Sequence, residues 1–123
     1  MKCLIVDDES LARARLKALL ADVEGDYNVI ESDNGVDALN KCNDYSPELI
    51  FLDIRMPGMS GMEVAQHLTA FENPPAVIFT TAHNEFALEA FEANAIDYLL
   101  KPIRRERLRT ALSKLRPLSA ETK

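Results

Sequence analysis

The chain has 123 residues, 47% of them apolar, which is enough for one hydrophobic core and too few for two domains of ordinary size. Its acidic side chains outnumber the basic ones by 20 to 14, and the net charge of -6 argues against a nucleic-acid surface spread over the whole domain. No apolar run approaches the roughly 20 residues of a membrane span, and the first, Cys3 to Val6, stops at Asp7; the expectation is a soluble cytoplasmic protein without a secretory signal.

Cys3 to Val6 is a continuous apolar run closed by acids, as suits a strand buried on both faces. From Ser10, Leu11, Ala14, Leu16, Leu19, Leu20 and Val23 recur at helical spacing and stop before Gly25. Tyr27 to Glu31 predicts a second strand, and Asn34-Gly35 leads into a helix with Val36, Ala38, Leu39 and Cys42 that ends near Pro47. Leu49 to Leu52 is a third strand closed by Asp53, and Met56-Pro57-Gly58-Met59-Ser60-Gly61 must then be a loop. Met62, Ala65 and Leu68 mark a third helix, Ala76 to Thr80 a fourth strand, and Phe86, Leu88, Ala90 and Phe91 a fourth helix. Ala95 to Leu100 supplies a fifth strand. After Pro102, the stretch from Arg104 to Leu115 places Leu108, Ala111, Leu112 and Leu115 on one stripe. Cys3 and Cys42 lack the spacing of a zinc site or a disulfide framework and read as reduced thiols.

Alternating buried strands and helices imply a parallel sheet covered on both faces by right-handed crossovers, whereas a closed barrel would need about eight such units. Ligands of such sheets bind outside the carboxyl ends of the strands. Asp7 and Asp8 close the first strand, Asp53 the third, Thr81 follows the fourth and Lys101 ends the fifth, so all five fall on that edge. Converging carboxylates repel one another, and a hard cation such as Mg²⁺ relieves the repulsion. A carboxylate beside Mg²⁺ can attack a phosphoryl group to give an aspartyl phosphate, an ammonium can pair with a phosphoryl oxygen, and a hydroxyl can donate to another. Taken singly, each residue has a plainer reading: the acids as helix caps, Thr81 as a turn residue, Lys101 as a solvated lysine. It is their arrival at four strand ends on one edge that favours the chemical reading.

Asp7-Asp8-Glu9, the stretch Asp53-Ile54-Arg55-Met56-Pro57-Gly58-Met59-Ser60-Gly61, Thr80-Thr81-Ala82 and Lys101-Pro102 resemble the receiver domains of two-component response regulators. The resemblance covers about residues 2 to 116 and implies a receiver domain over 1–116, with 117–123 as the start of a linker or a tail. It also implies a flavodoxin-like (βα)5 doubly wound α/β fold with strand order 2-1-3-4-5, an order that periodicity does not give. Carried over by position, it implies Asp53 as phosphoacceptor and Mg²⁺ held by Asp7, Asp8, Asp53 and the backbone carbonyl of Arg55. Thr81 and Lys101 would contact the phosphoryl group. Lys101-Pro102 would be a cis peptide, with an ordinary trans turn as the alternative. Arg55 and His83 would tune hydrolysis, and Thr81 with Tyr98 would form a conformational switch, unless Tyr98 is a permanently packed aromatic.

The run from Thr81 to Glu92, followed by Ala95 to Ile103, is most similar to receivers of LytTR-class transcriptional regulators, which implies a DNA-binding output domain that this chain does not contain. A sensor histidine kinase is the implied partner. The predicted fourth helix carries Glu85, Glu89 and Glu92, and the fifth carries Arg104, Arg105, Arg107, Arg109, Lys114 and Arg116. A symmetric dimer through the fourth helix, fifth strand and fifth helix would pair these faces; two solvated helix faces are the alternative. Competing functions are a phosphorylation-independent interaction module, a flavodoxin and a Mg²⁺-dependent aspartyl phosphatase. The acidic loop after Val6 disfavours a flavin phosphate, and Arg55 stands where such phosphatases generally carry a second acid.

Overall fold

A computed structural model describes residues 1–23, 25–83 and 94–115. Five strands form one parallel sheet: β1 (Lys2–Val6), β2 (Asn28–Ser32), β3 (Leu49–Asp53), β4 (Ala76–Thr81) and β5 (Asp97–Leu100), in the order β2-β1-β3-β4-β5. The described helices are α1 (Ser10–Asp22), α2 (Gly35–Tyr45), α3 (Gly61–Leu68) and α4 (Arg105–Ser113). The predicted fourth helix, with Glu85, Glu89 and Glu92, lies outside the described residues, as does Arg116.

The apolar runs read as doubly buried strands are so because successive side chains enter opposite layers. Leu4, Val6, Ile50, Leu52 and Phe79 pack with Ala38 and Cys42 of α2 and Val64, Ala65 and Leu68 of α3. Cys3, Ile5, Leu49, Phe51 and Ile78 face the other way, onto Leu16 and Leu20 of α1 and Leu108, Ala111 and Leu112 of α4. Cys3 and Cys42 therefore occupy opposite layers and are unpaired thiols, and burial pushes their pKa values up to about 12 and about 11. Three residues read from periodicity as core-facing are not: Leu11 is 62% exposed, Val36 is 60% exposed, and Ala14 is exposed too. They lie off the faces that pack, which are marked by Leu16 and Leu20 in α1 and by Gly35, Ala38 and Cys42 in α2.

Caps decide where the helices begin and end. Asn34 accepts from the Asp37 amide at 2.8 Å to open α2, which closes at Ser46 in the left-handed region, immediately before Pro47. At α3, Ser60 and Glu63 form a reciprocal capping box. Just ahead of it the loop turns at Gly58, whose φ of +78 an L side chain rarely adopts. Gly61 is required for a different reason: a Cβ there would lie 2.2 Å from the Asp53 carbonyl oxygen. The start of α3 is thus pressed against the end of β3, with the Gly61 amide donating to the Ile54 carbonyl at 2.9 Å.

Candidate functional site

The site lies at the carboxyl edge of the sheet, where β1, β3 and β4 end side by side. Beyond Val6 the ladder continues by one bond, from the Asp7 amide to the Ser32 carbonyl at 3.1 Å, so Asp7 is held as firmly as a strand residue. Its Oδ1 accepts from the Glu9 amide at 2.9 Å and its Oδ2 from the Lys101 ammonium at 2.7 Å. Asp53 is the last residue of β3, in register with Thr80, and is 5% exposed. Lys101 Nζ stands 3.5 Å from Asp53 Oδ1 and so bridges both buried acids. Asp8 is exposed, and Asp7, Asp8 and Asp53 offer carboxylate oxygens within 4.8 Å of one another.

This crowding has an electrostatic consequence. Burial first, then the nearby charge of Asp7 and a smaller contribution from Asp8, together raise the Asp53 pKa from 3.8 to about 7 against the lowering effect of Lys101. For Lys101, burial disfavours the charge, but the hydrogen bond to Asp7 and the charges of Asp53 and Asp7 outweigh it and hold the ammonium above its ordinary value. Lys101 pairs with two of these three converging carboxylates, Asp7 and Asp53, and the oxygen donor set suits a hard divalent cation.

Thr81 ends β4 and is 1% exposed, and its hydroxyl oxygen accepts from the His83 amide at 3.1 Å. The Tyr98 hydroxyl donates to the His83 carbonyl at 3.3 Å, so the backbone of one residue links Thr81 to Tyr98. Tyr98 packs partly buried against the layer of α2 and α3. The Lys101 amide donates to the Thr81 carbonyl at 2.7 Å, and the Lys101–Pro102 peptide is cis. Arg55 is exposed in the loop after β3. Asp7, Asp8, Asp53, Arg55, Thr81, His83, Tyr98, Lys101 and Pro102 thus lie along one edge of the sheet or on the strand leading to it.

One residue that touches the site was not read from the sequence. Arg13, in the first turns of α1, donates from Nη1 to the Asp7 carbonyl at 2.7 Å and from Nε to Glu31 Oε1 at 3.0 Å. The sequence signal was slight: a basic residue among several on the polar side of a helix.

A family model for the response regulator receiver domain matches residues 3–113. The chain belongs to that family. This receiver is 53% identical over 116 residues to the positive alginate biosynthesis regulatory protein of Pseudomonas aeruginosa, a match covering 93% of this chain and 46% of that protein. It is 46% identical over 117 residues to the sensory transduction protein LytR of Staphylococcus haemolyticus, covering 94% of this chain and 45% of that one. Its relatives are thus regulators of the LytTR class, and the receiver spans about half their length. Among solved structures it is similar to the response regulator protein TrrA of Thermotoga maritima in complex with Mg(2+)-BeF. The TM-score is 0.82 at 33% identity, covering 93% of this chain and 97% of that one. Receiver domains are switches of two-component signalling that bind Mg²⁺ at an acidic pocket and are phosphorylated by sensor histidine kinases. Among the described residues of this receiver, no helix is long and apolar enough to cross a membrane.

Proposed function

We propose that this receiver acts in the cytoplasm and takes a phosphoryl group on Asp53 from a sensor histidine kinase, with Mg²⁺ held by Asp7, Asp8, Asp53 and the Arg55 carbonyl. The observation that carries the reading is the position of Asp53: buried at a strand end, 3.5 Å from an ammonium and within 4.8 Å of two further acids. In the transfer, an Asp53 oxygen bonds to phosphorus as the phosphorus–nitrogen bond of the donor histidine breaks, and the electron pair of that bond stays on the imidazole. When bound, Mg²⁺ supplies positive charge to the transferred oxygens and offsets the repulsion among the acids. Lys101, at present bonded to Asp7, pairs with one phosphoryl oxygen, and the Thr81 hydroxyl donates to another.

Donation by Thr81 to the phosphoryl group supplies the unequal contacts that a switch requires, since a ligand that contacts both states equally shifts neither. Thr81 and Tyr98 already share the backbone of His83, and a move of one is felt by the other through that residue. Arg55 and His83 border the phosphoryl group and tune its hydrolysis. We assign residues 1–116 to the receiver and 117–123 to a linker toward a LytTR-type DNA-binding output domain; the half-length match to LytR-type regulators supports this division. The phosphorylated form pairs as a symmetric dimer through the predicted fourth helix, β5 and α4.

Intact-mass analysis after acetyl phosphate treatment tests the reading. A Mg²⁺-dependent gain of one phosphoryl group, absent in Asp53→Asn, is the expected result. No gain in the wild type, with acetyl phosphate or with a phosphorylated kinase, would point instead to a phosphorylation-independent interaction module.

A further inference from the structure

We infer that Arg13 is a positioning residue for the acidic pair: it holds the peptide joining Asp7 to Asp8 in the orientation that aims the Asp8 carboxylate toward Asp53. The inference rests on the proposed Mg²⁺ site and adds to it a residue that binds neither metal nor phosphoryl group.

Asp7 is fixed by its neighbours. Its amide is bonded to Ser32, one carboxylate oxygen to the Glu9 amide and the other to Lys101. Asp8 is exposed, and its direction depends on the backbone that carries it. A peptide unit is planar, so fixing its carbonyl oxygen also fixes the plane that leads into the next residue. The Asp7 carbonyl is the oxygen that Arg13 binds, at 2.7 Å. A guanidinium offers several donors in a rigid fork, and here a second one is anchored on Glu31 at 3.0 Å. Glu31 lies on β2, in register with Ile5 of β1, and so belongs to the sheet rather than to a loop. Lys17, one helical turn beyond Arg13, approaches the same carboxylate at 3.7 Å. The Arg13 side chain is only 18% exposed, which shields these bonds from the screening that weakens surface ion pairs. The result is a strut running from the sheet through Glu31 and Arg13 to the backbone between the two acids.

The sign of the effect separates positioning from bulk electrostatics. Arg13 is a cation close to a cation site, so if charge alone mattered, removing it would tighten Mg²⁺ binding. If it holds Asp8 in place, removing it weakens binding. NMR titration of the chain with MgCl₂ at fixed ionic strength, following the Asp8 and Glu9 amides, reads this directly. Expected for Arg13→Met is Mg²⁺ affinity lower by roughly tenfold, the scale of losses on removing an outer-shell partner of a metal site. Arg13→Lys keeps the charge but loses the fork, and should fall between wild type and Arg13→Met; it also decides the matter if Arg13→Met does not fold. Binding by Arg13→Met at or above wild-type affinity, or by Arg13→Lys equal to wild type, overturns the positioning role while leaving the Mg²⁺ site standing. Failure of the wild type itself to bind Mg²⁺ overturns the site and this inference together.

Discussion

At Asp53, burial and chemistry pull in opposite directions. The position next to Asp7, Asp8 and Lys101 suits a nucleophile for phosphoryl transfer, but ionised Asp53 sits among other acids with one ammonium to share. Asp53→Asn is therefore expected to raise the unfolding free energy of the metal-free protein at pH 7.5, by on the order of 1–3 kcal/mol, because it removes one of three mutually repelling charges. The stabilisation conferred by added Mg²⁺ should shrink in the same variant. Thermal melts of both proteins in EDTA and in excess MgCl₂ check this, and a less stable Asp53→Asn in EDTA would contradict it. Gly61 makes a sharper claim about a single atom. In Gly61→Ala the new methyl meets the Asp53 backbone oxygen at 2.2 Å, so β3 and α3 must separate. The expected cost is about 2–4 kcal/mol in urea unfolding, accompanied by slower phosphorylation because the displaced strand end carries the phosphoacceptor.

At the scale of elements, the attachment of α4 to β5 is mainly ionic at one end and apolar along its length. Asp97, at the start of β5, accepts two bonds of 2.7 Å from Arg107 and lies 3.0 Å from Lys114. Burial works to raise the Asp97 pKa, but the bonds from Arg107, from Lys114 and from the Tyr98 amide outweigh it and bring it down to about 2 from 3.8. A carboxyl group whose folded pKa is depressed stabilises the fold above its unfolded pKa and loses that contribution as the pH falls through the folded one. Asp97→Asn should thus cost about 1 kcal/mol at pH 6, a modest figure because both partner cations are half exposed, and the difference from wild type should fade between about pH 4 and pH 2. Guanidinium unfolding at pH 6, 4 and 2.5 follows it; a difference that persists at the lowest pH would mean that packing, not charge, is what the variant loses. The sequence placed Arg107 and Lys114 on an open basic face. The structure instead spends both within the chain, because β5 brings Asp97 under α4.

For the molecule as a whole, that internal pairing narrows the proposed dimer. Arg105 is also engaged, with Asp22 of α1, whereas Arg104 and Arg109 have no ion pair among the described residues. A partner's acidic helix would therefore meet Arg104 and Arg109 first. Arg109→Glu is expected to weaken association of the phosphorylated receiver at least several-fold while leaving monomer stability within about 0.5 kcal/mol. Sedimentation at micromolar concentration, with and without phosphorylation, measures it. A wild-type receiver that stays monomeric when phosphorylated would refute the dimer altogether.

The sequence by itself determined the layer architecture and the edge that carries the chemistry. Continuous apolar runs such as Leu49 to Leu52 can be stable only with both faces covered, and a parallel sheet so covered exposes its strand ends, where Asp7, Asp53, Thr81 and Lys101 stand. These are short-range facts of alternation and spacing. Only the tertiary structure decided which apolar residues stay outside, as Leu11 and Val36 do, since apolar residues spread around more than one side of a helix leave open which side meets the sheet. It also decided which charges find partners. Arg13 meets Glu31 and the Asp7 carbonyl, and Asp97 meets Arg107 and Lys114, because crossover geometry brings together groups 18, 6, 10 and 17 positions apart in sequence. Hydrophobic pattern fixes the layers because burial is non-directional and needs only the right face. Ion pairs and hydrogen bonds act over about 3 Å, and their partners are set only when the layers have packed.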